Sequence, residues 1–312
     1  MDALREILPL IFLVLFGALL QRLRFFEEHT FKQLQNFLLR VTIPCLLFTA
    51  FVSMEFDAIH TIVSVGMFFF MVALLLVGVL LYRILPIKHD FFMFYLTTFG
   101  FGTVGFPVFL EIFGLENISA MAMLGIGHEV FVAGVFFPAM HMYYNGRGKS
   151  GGSLAKAFLT PAMIMLALGA LISIGNMRPV IAGNFIGGSI LDTISRVGDL
   201  TLVIALVLSG YRLQFSDRSC IKTSAMYSAL RLVVTIGLGI LFKTFFLDLT
   251  ASPLPLLEHA FYILIFQHSS IMLLVFVGLH RPIEDQVVAN NSFVINLVSG
   301  IVLFFLYMLI FI

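Results

Sequence analysis

Charge is scarce in this chain of 312 residues: Lys, Arg, Asp and Glu together make up 11% of it, 18 basic against 17 acidic. Soluble globular domains carry roughly a quarter of their residues as charges, so that class is excluded. The scarcity extends to patterns. There is no run of Lys or Arg, and hence no footprint for a nucleic acid. The two cysteines, Cys45 and Cys220, lie far apart in sequence and offer neither a disulfide framework nor a metal-ligand spacing. No zincin signature, Asp-rich metal motif or nucleophile elbow is present, and the loops are too short to hold a catalytic domain. The expectation is a protein that is not an enzyme and that needs no cofactor or metal ion.

Apolar surface is what the chain has in abundance. Hydrophobic residues make up 60%, Phe alone occurs 36 times, and the mean hydropathy is +1.07. A water-soluble core of this length cannot bury so much apolar surface, whereas a bundle facing the lipid bilayer has no need to. Ten segments of membrane length begin near Ile7, Leu34, Ile62, Phe91, Ile118, Ala157, Leu200, Ala225, Phe261 and Val287. The first apolar run, Ile7 to Leu20, follows Asp2 and Glu6 and precedes Gln21-Arg22-Leu23-Arg24, with no small-residue cleavage site. It reads as a retained span rather than a signal peptide.

The basic residues orient these spans. With the N-terminus outside, the inner loops hold Arg22, Arg24, Lys32, Arg83, Lys88, Arg147, Lys149, Lys156, Arg212, Arg218, Lys222 and Arg281. The outer side holds only Arg5, Arg178, Lys243 and Arg196, while Arg40 and Arg231 fall within spans. The positive-inside rule therefore places both termini outside. Short loops point to a bacterial inner membrane.

One stretch has linker composition, Asn145-Gly-Arg-Gly-Lys-Ser-Gly-Gly-Ser153, and it parts the spans five and five. The halves are 1–144 and 157–312, joined by a cytoplasmic linker over 145–156. Five spans per half is an odd number, so two similar halves enter the membrane in opposite orientations, the inverted-repeat arrangement of many secondary transporters. Each half carries one interrupted span. In the fourth, Phe99-Gly-Phe-Gly-Thr-Val-Gly-Phe-Pro107 sets three glycines and a proline in apolar surroundings; in the ninth, Gln267-His-Ser-Ser270 lies at a similar depth. A Gly-Leu pair follows each, Gly114-Leu115 and Gly278-Leu279.

Backbone outside a helix survives at membrane depth only where protein or a water-filled cavity covers it, and transporters use such breaks as binding sites. The expected break runs from Gly100 to Pro107. The second half-helix then starts at Pro107, whose missing N–H suits a first turn and whose positive end could receive an anion. The substrate-binding candidates are Gly100, Gly102, Thr103, Gly105 and Pro107 from the first break and Gln267, His268, Ser269 and Ser270 from the second. Asn296 joins them, four residues after Ser292 and so on the same helix face. The glycines allow close backbone approach and the polar side chains supply hydrogen bonds. The competing reading is a plain proline kink with interhelical hydrogen-bond glue.

His128 and Glu129 lie deep in the fifth span, where an ionisable side chain is costly. Together with His268 they are the candidates for proton coupling, against the alternative of an internal pair that only fixes packing. Arg231, inside the eighth span, is expected to pair with a carboxylate or to snorkel to the interface, and Arg40 stays open. Asp192, Arg196 and Asp199 are spaced four and three apart, as on a solvated helix face.

Four motifs occur in order: Leu39-Arg-Val-Thr-Ile-Pro-Cys-Leu-Leu-Phe48, Gly105-Phe-Pro107 with Gly114, Thr160-Pro161, and Val197-Gly198-Asp199 through Ser209-Gly210. In this arrangement the chain resembles the auxin efflux carrier family over nearly its whole length. The resemblance implies an all-α polytopic membrane protein of bile-acid-symporter-like fold, with ten transmembrane helices in two inverted five-helix repeats. It implies a scaffold from spans 1, 2, 6 and 7, and a mobile core from spans 3 to 5 and 8 to 10 that holds two crossed broken helices. An elevator-type movement and a homodimer through the scaffold accompany that fold. The implied function is secondary active transport of a small organic anion, a carboxylate or auxin-like acid. Coupling to protons rather than sodium follows from His128, Glu129 and His268. Two departures stand out: Gly100 occupies the place where the family usually has asparagine, and the ninth span has no proline at its break. They keep open the alternative of a membrane receptor or regulatory protein that has this fold and does not transport.

Overall fold

The computed structural model describes residues 2–53, 58–145, 161–211, 220–250, 254 and 256–311. All regular structure among them is helical. We label the helices α1 (Asp2–Arg22), α2 (His29–Val52), α3 (Ala58–Ile84), α4 (Phe92–Tyr95), α5 (Phe106–Phe113), α6 (Ile118–Tyr144), α7 (Pro161–Ile174), α8 (Phe185–Tyr211), α9 (Ile221–Thr250), α10 (Leu257–Ile265), α11 (Ile271–His280) and α12 (Ile283–Phe311). Among the described residues α2, α3, α6, α9 and α12 are long and apolar enough to cross a membrane. Each coincides with an expected span. The fourth and ninth expected spans are broken into α4 with α5 and α10 with α11, so neither forms one long helix. α8 is 27 residues long, with Asp192, Arg196 and Asp199 exposed along it. The glycine-rich linker lies outside the described residues.

Proline explains a recurring irregularity. The five-residue π-turns Leu38–Thr42, Phe101–Gly105 and Val132–Phe136 are each followed by one residue and then by a proline, Pro44, Pro107 and Pro138. A proline in a continuous α-helix lacks the donor for the carbonyl four residues back, and its ring collides with that carbonyl. Widening the preceding turn by one residue relieves both problems. A fourth π-turn, Lys243–Leu247 in α9, has no such proline.

The chain divides into two compact units. The first comprises Met1–Thr61, Gly102–Met123 and Phe158–Leu213. Glycines set its helix contacts. A side chain at Gly17 of α1 would strike the Val207 carbonyl of α8, and one at Gly210 of α8 would strike the Val14 carbonyl of α1. Gly198 lies against the backbone of Leu46, and Gly169 of α7 against the Phe48 carbonyl. Small residues allow backbones this close, which is how helices gain packing energy when lipid supplies no hydrophobic drive between them.

The second unit comprises Ile62–Phe101, Leu124–Ala157 and Gln214–Ile312. Serines join α9 to α12: the Ser224 hydroxyl donates to the Val288 carbonyl at 3.2 Å and the Ser228 hydroxyl to the Ser292 carbonyl at 3.0 Å. A charged cluster ties the segment ahead of α4 to the loop between α11 and α12 and to the first turn of α12. His89 Nδ1 lies 2.8 Å from Asp285 Oδ1, and Arg281 Nε lies 2.7 Å from Asp285 Oδ2 and 3.2 Å from Asp90 Oδ1. Burial works against the Arg281 charge, but its bond to Asp285 and the field of Asp90 prevail and raise its pKa.

Candidate functional site

The first break lies several residues earlier than expected. α4 ends at Tyr95, the chain is irregular over 96–100, and the π-turn Phe101–Gly105 then runs directly into α5. Pro107 does occupy the first turn of regular α-helix, as its missing N–H requires, but the helical end is at Phe101. The π-turn absorbs the proline, so Gly102, Thr103 and Gly105 are helical instead of forming the break. The second break falls where expected, over 266–270 between α10 and α11.

Arg231 determines where the first break sits. It projects from α9, is 1% exposed, and donates to backbone carbonyls from both breaks. Nη1 bonds the Tyr95 carbonyl and, at 3.4 Å, that of Thr97; Nη2 bonds the carbonyls of Thr98 at 2.9 Å and Gln267 at 3.3 Å. Its guanidinium carbon is 5.4 Å from the Tyr95 ring centre and 5.3 Å from that of Phe99. The expectation that Arg231 pairs with a carboxylate or snorkels is thus corrected. The C-terminal ends of α4 and α10 both expose unpaired carbonyls, and a planar fork of N–H donors satisfies several at once while its charge opposes both helix dipoles.

Thr98 completes the junction. Its φ is +58°, unusual for a β-branched residue, and it is fully buried. This conformation turns its carbonyl to Arg231 while its Oγ1 accepts the Ser270 N–H at 3.2 Å. The two breaks, 170 residues apart in sequence, are therefore bonded to one another as well as to a shared arginine.

Tyr95 links the junction to α12. Its hydroxyl donates to the Ser292 carbonyl at 2.8 Å and accepts from Asn296 Nδ2 at 2.5 Å. Asn296 Oδ1 and Ser269 Oγ are buried without a hydrogen-bond partner among the described residues. Gln267 Nε2 donates to the Ile263 carbonyl at 3.2 Å, and His268 Nδ1 to the Ser269 carbonyl at 2.7 Å. Replacing Tyr95 with Phe removes these two hydrogen bonds and a longer one of 3.4 Å to Ser228 Oγ, and leaves the Asn296 amide unpaired, for an expected loss of about 2 kcal/mol measured by unfolding in detergent.

Of the expected site, Gly100, Gln267, His268, Ser269, Ser270 and Asn296 lie in the second unit; Gly102, Thr103, Gly105 and Pro107 lie in the first. His128 and Glu129 also belong to the second unit, with His128 Nδ1 3.0 Å from Glu129 Oε1. The sequence reading missed Tyr95 and assigned Arg231 the wrong partners. An arginine in an apolar span was the available signal for the latter.

The first unit contains a separate cavity of about 340 Å³. Glu111 and Asp199 line it with the hydroxyl-bearing Thr49 and Ser195, and among the described residues no basic one does. Asp199, read from sequence as part of a solvated face, is exposed and contributes to this wall. Comparison with protein-family models finds none that matches the chain, and comparison with curated proteins likewise finds no match.

Proposed function

We propose that this protein is a secondary active transporter of a small organic anion, a carboxylate or auxin-like acid, coupled to protons and working by an elevator-type movement. It is a multi-pass carrier rather than an enzyme, built as two inverted five-span halves, with both termini outside a bacterial inner membrane. The observation that carries this reading is the junction of the two breaks on Arg231. Irregular backbone from two distant spans, bonded together at one buried point, is the arrangement on which transporters build a substrate site. The buried atoms Asn296 Oδ1 and Ser269 Oγ offer polar contacts to a ligand. The fixed guanidinium supports protons over sodium, because the positive charge that the two carbonyl ends call for is already built in.

The test is thermal stabilisation of the detergent-purified protein by a panel of small carboxylates, indole acids and amines at two pH values. A ligand that binds only the folded state, present at a hundred times its Kd, stabilises by about 2.7 kcal/mol. A carboxylate that stabilises more strongly at one pH supports the reading, and its uptake into vesicles should then follow a pH gradient at clamped voltage. Flux indifferent to that gradient would remove proton coupling. The acid-lined cavity of the first unit favours a second reading, a cationic or neutral solute, which a stabilising amine would support.

A further inference from the structure

His128 is bonded to the first break itself. The backbone N–H of Phe99 donates to His128 Nε2 at 3.1 Å, across 29 residues of sequence. A backbone N–H can only donate, so Nε2 must be the unprotonated acceptor. The ring proton then sits on Nδ1 and points at Glu129 Oε1, 3.0 Å away. The imidazole is 3% exposed and lies near the rings of Phe99 and Phe101, with centres 6.3 and 5.6 Å away. The helix that carries it is closely packed on either side of this residue's turn: the Phe101 ring fills the space beside Gly125, and Gly127 packs on the Ser64 carbonyl of α3.

From this geometry we infer that His128 Nε2 is a protonation site whose occupation opens the first break. An incoming proton and the Phe99 N–H require the same lone pair. Protonation converts Nε2 into a donor, expels the Phe99 N–H and leaves an imidazolium paired with the Glu129 carboxylate. The break then holds a freed N–H one residue from Thr98, which carries both the Arg231 and the Ser270 bonds. The charged groups around the ring are Glu129 on its own helix and Arg231, whose guanidinium faces Phe99. α3 presents Ser64, Met67 and Phe68 at Gly127, none of which titrates. The site has two mutually exclusive states, capped when neutral and released when charged, which is the kind of bistable element that proton coupling requires. As a coupling device the inference rests on the transporter reading; as a proton-controlled opening of the break it does not.

Hydrogen–deuterium exchange of the full chain in detergent tests it without a substrate. Protection of the 96–101 backbone, corrected for intrinsic exchange, is expected to fall about tenfold or more between pH 8 and pH 5. His128→Gln, whose amide oxygen accepts the same N–H without titrating, should hold protection level across that range. Glu129→Gln deprives the imidazolium of its carboxylate and should lessen the fall in protection at pH 5; it carries the test alone if His128→Gln does not fold. Protection independent of pH in the unmodified protein overturns the inference, as does an equal fall in His128→Gln or an undiminished fall in Glu129→Gln. Opening with pH but no proton-driven flux would sink the transporter reading alone, and such flux with a break that stays protected would sink this inference alone.

Discussion

Arg231→Leu is expected to be the most damaging single substitution in the second unit, lowering stability by about 4 kcal/mol or more. The side chain satisfies four carbonyls at the ends of α4 and α10, and each buried acceptor left without a donor costs about 1–3 kcal/mol. Relief from burying a charge offsets part of that, so the full sum is not reached. Leucine also forfeits the opposition of a positive charge to two converging helix dipoles. Arg231→Lys separates the contributions. An ammonium restores the charge but has only three donors on a flexible stem, so it should recover part of the loss. The measurement is the thermal midpoint and folded yield of the detergent-purified protein, compared across the three forms. A leucine variant that melts with the parent would show that the carbonyls find other donors and that Arg231 does not hold the breaks.

The second large effect is expected in the first unit, at the reciprocal glycines of α1 and α8. Gly17→Leu pushes a side chain into the Val207 carbonyl, and Gly210→Leu pushes one into that of Val14. The obstacle in both cases is backbone, which cannot rotate away as a side chain can. Each variant is expected to cost about 3 kcal/mol, the upper range for overpacking. Their combination should cost much less than the sum, because the first substitution already separates the helices that the second would force apart. The same unfolding measurement on both single variants and the double variant reads this directly. Additive losses would place the two contacts in independent parts of the unit.

Much of the helical framework was legible because the lipid-facing pattern is crude and strong. The five long apolar helices fall at spans read from hydropathy alone, and both interruptions were visible as small or polar residues at apolar depth. What sequence could not resolve was the position of the first break. Gly102 and Gly105 drew attention to a stretch that is helical, whereas Leu96 and Thr97 look unremarkable and belong to the irregular segment. The break is fixed by a guanidinium more than a hundred residues further along the chain, and its acceptors are backbone carbonyls that every residue possesses. His128 and Glu129 were conspicuous as ionisable groups, and their mutual bond is local. The bond from Phe99 N–H was invisible for the same reason as the carbonyls. Asp199 illustrates a subtler limit: its helical spacing correctly implied exposure, but spacing cannot tell open solvent from the wall of a cavity.

The proline-linked π-turns have a mechanical consequence. Each inserts one extra residue into a helix, and one residue of α-helix corresponds to about 100° of rotation. If such a turn migrates by a single position, the residue it passes swings about the helix axis while only neighbouring hydrogen bonds are exchanged. The helix twists locally without bending or breaking. In α6 the π-turn Val132–Phe136 lies three residues beyond Glu129, so three such steps toward the N-terminus would carry the carboxylate around the axis, away from the imidazole it now faces. A screw of this kind, with Pro138 anchoring its far side, would let a membrane helix reorient one side chain while the lipid sees almost no change.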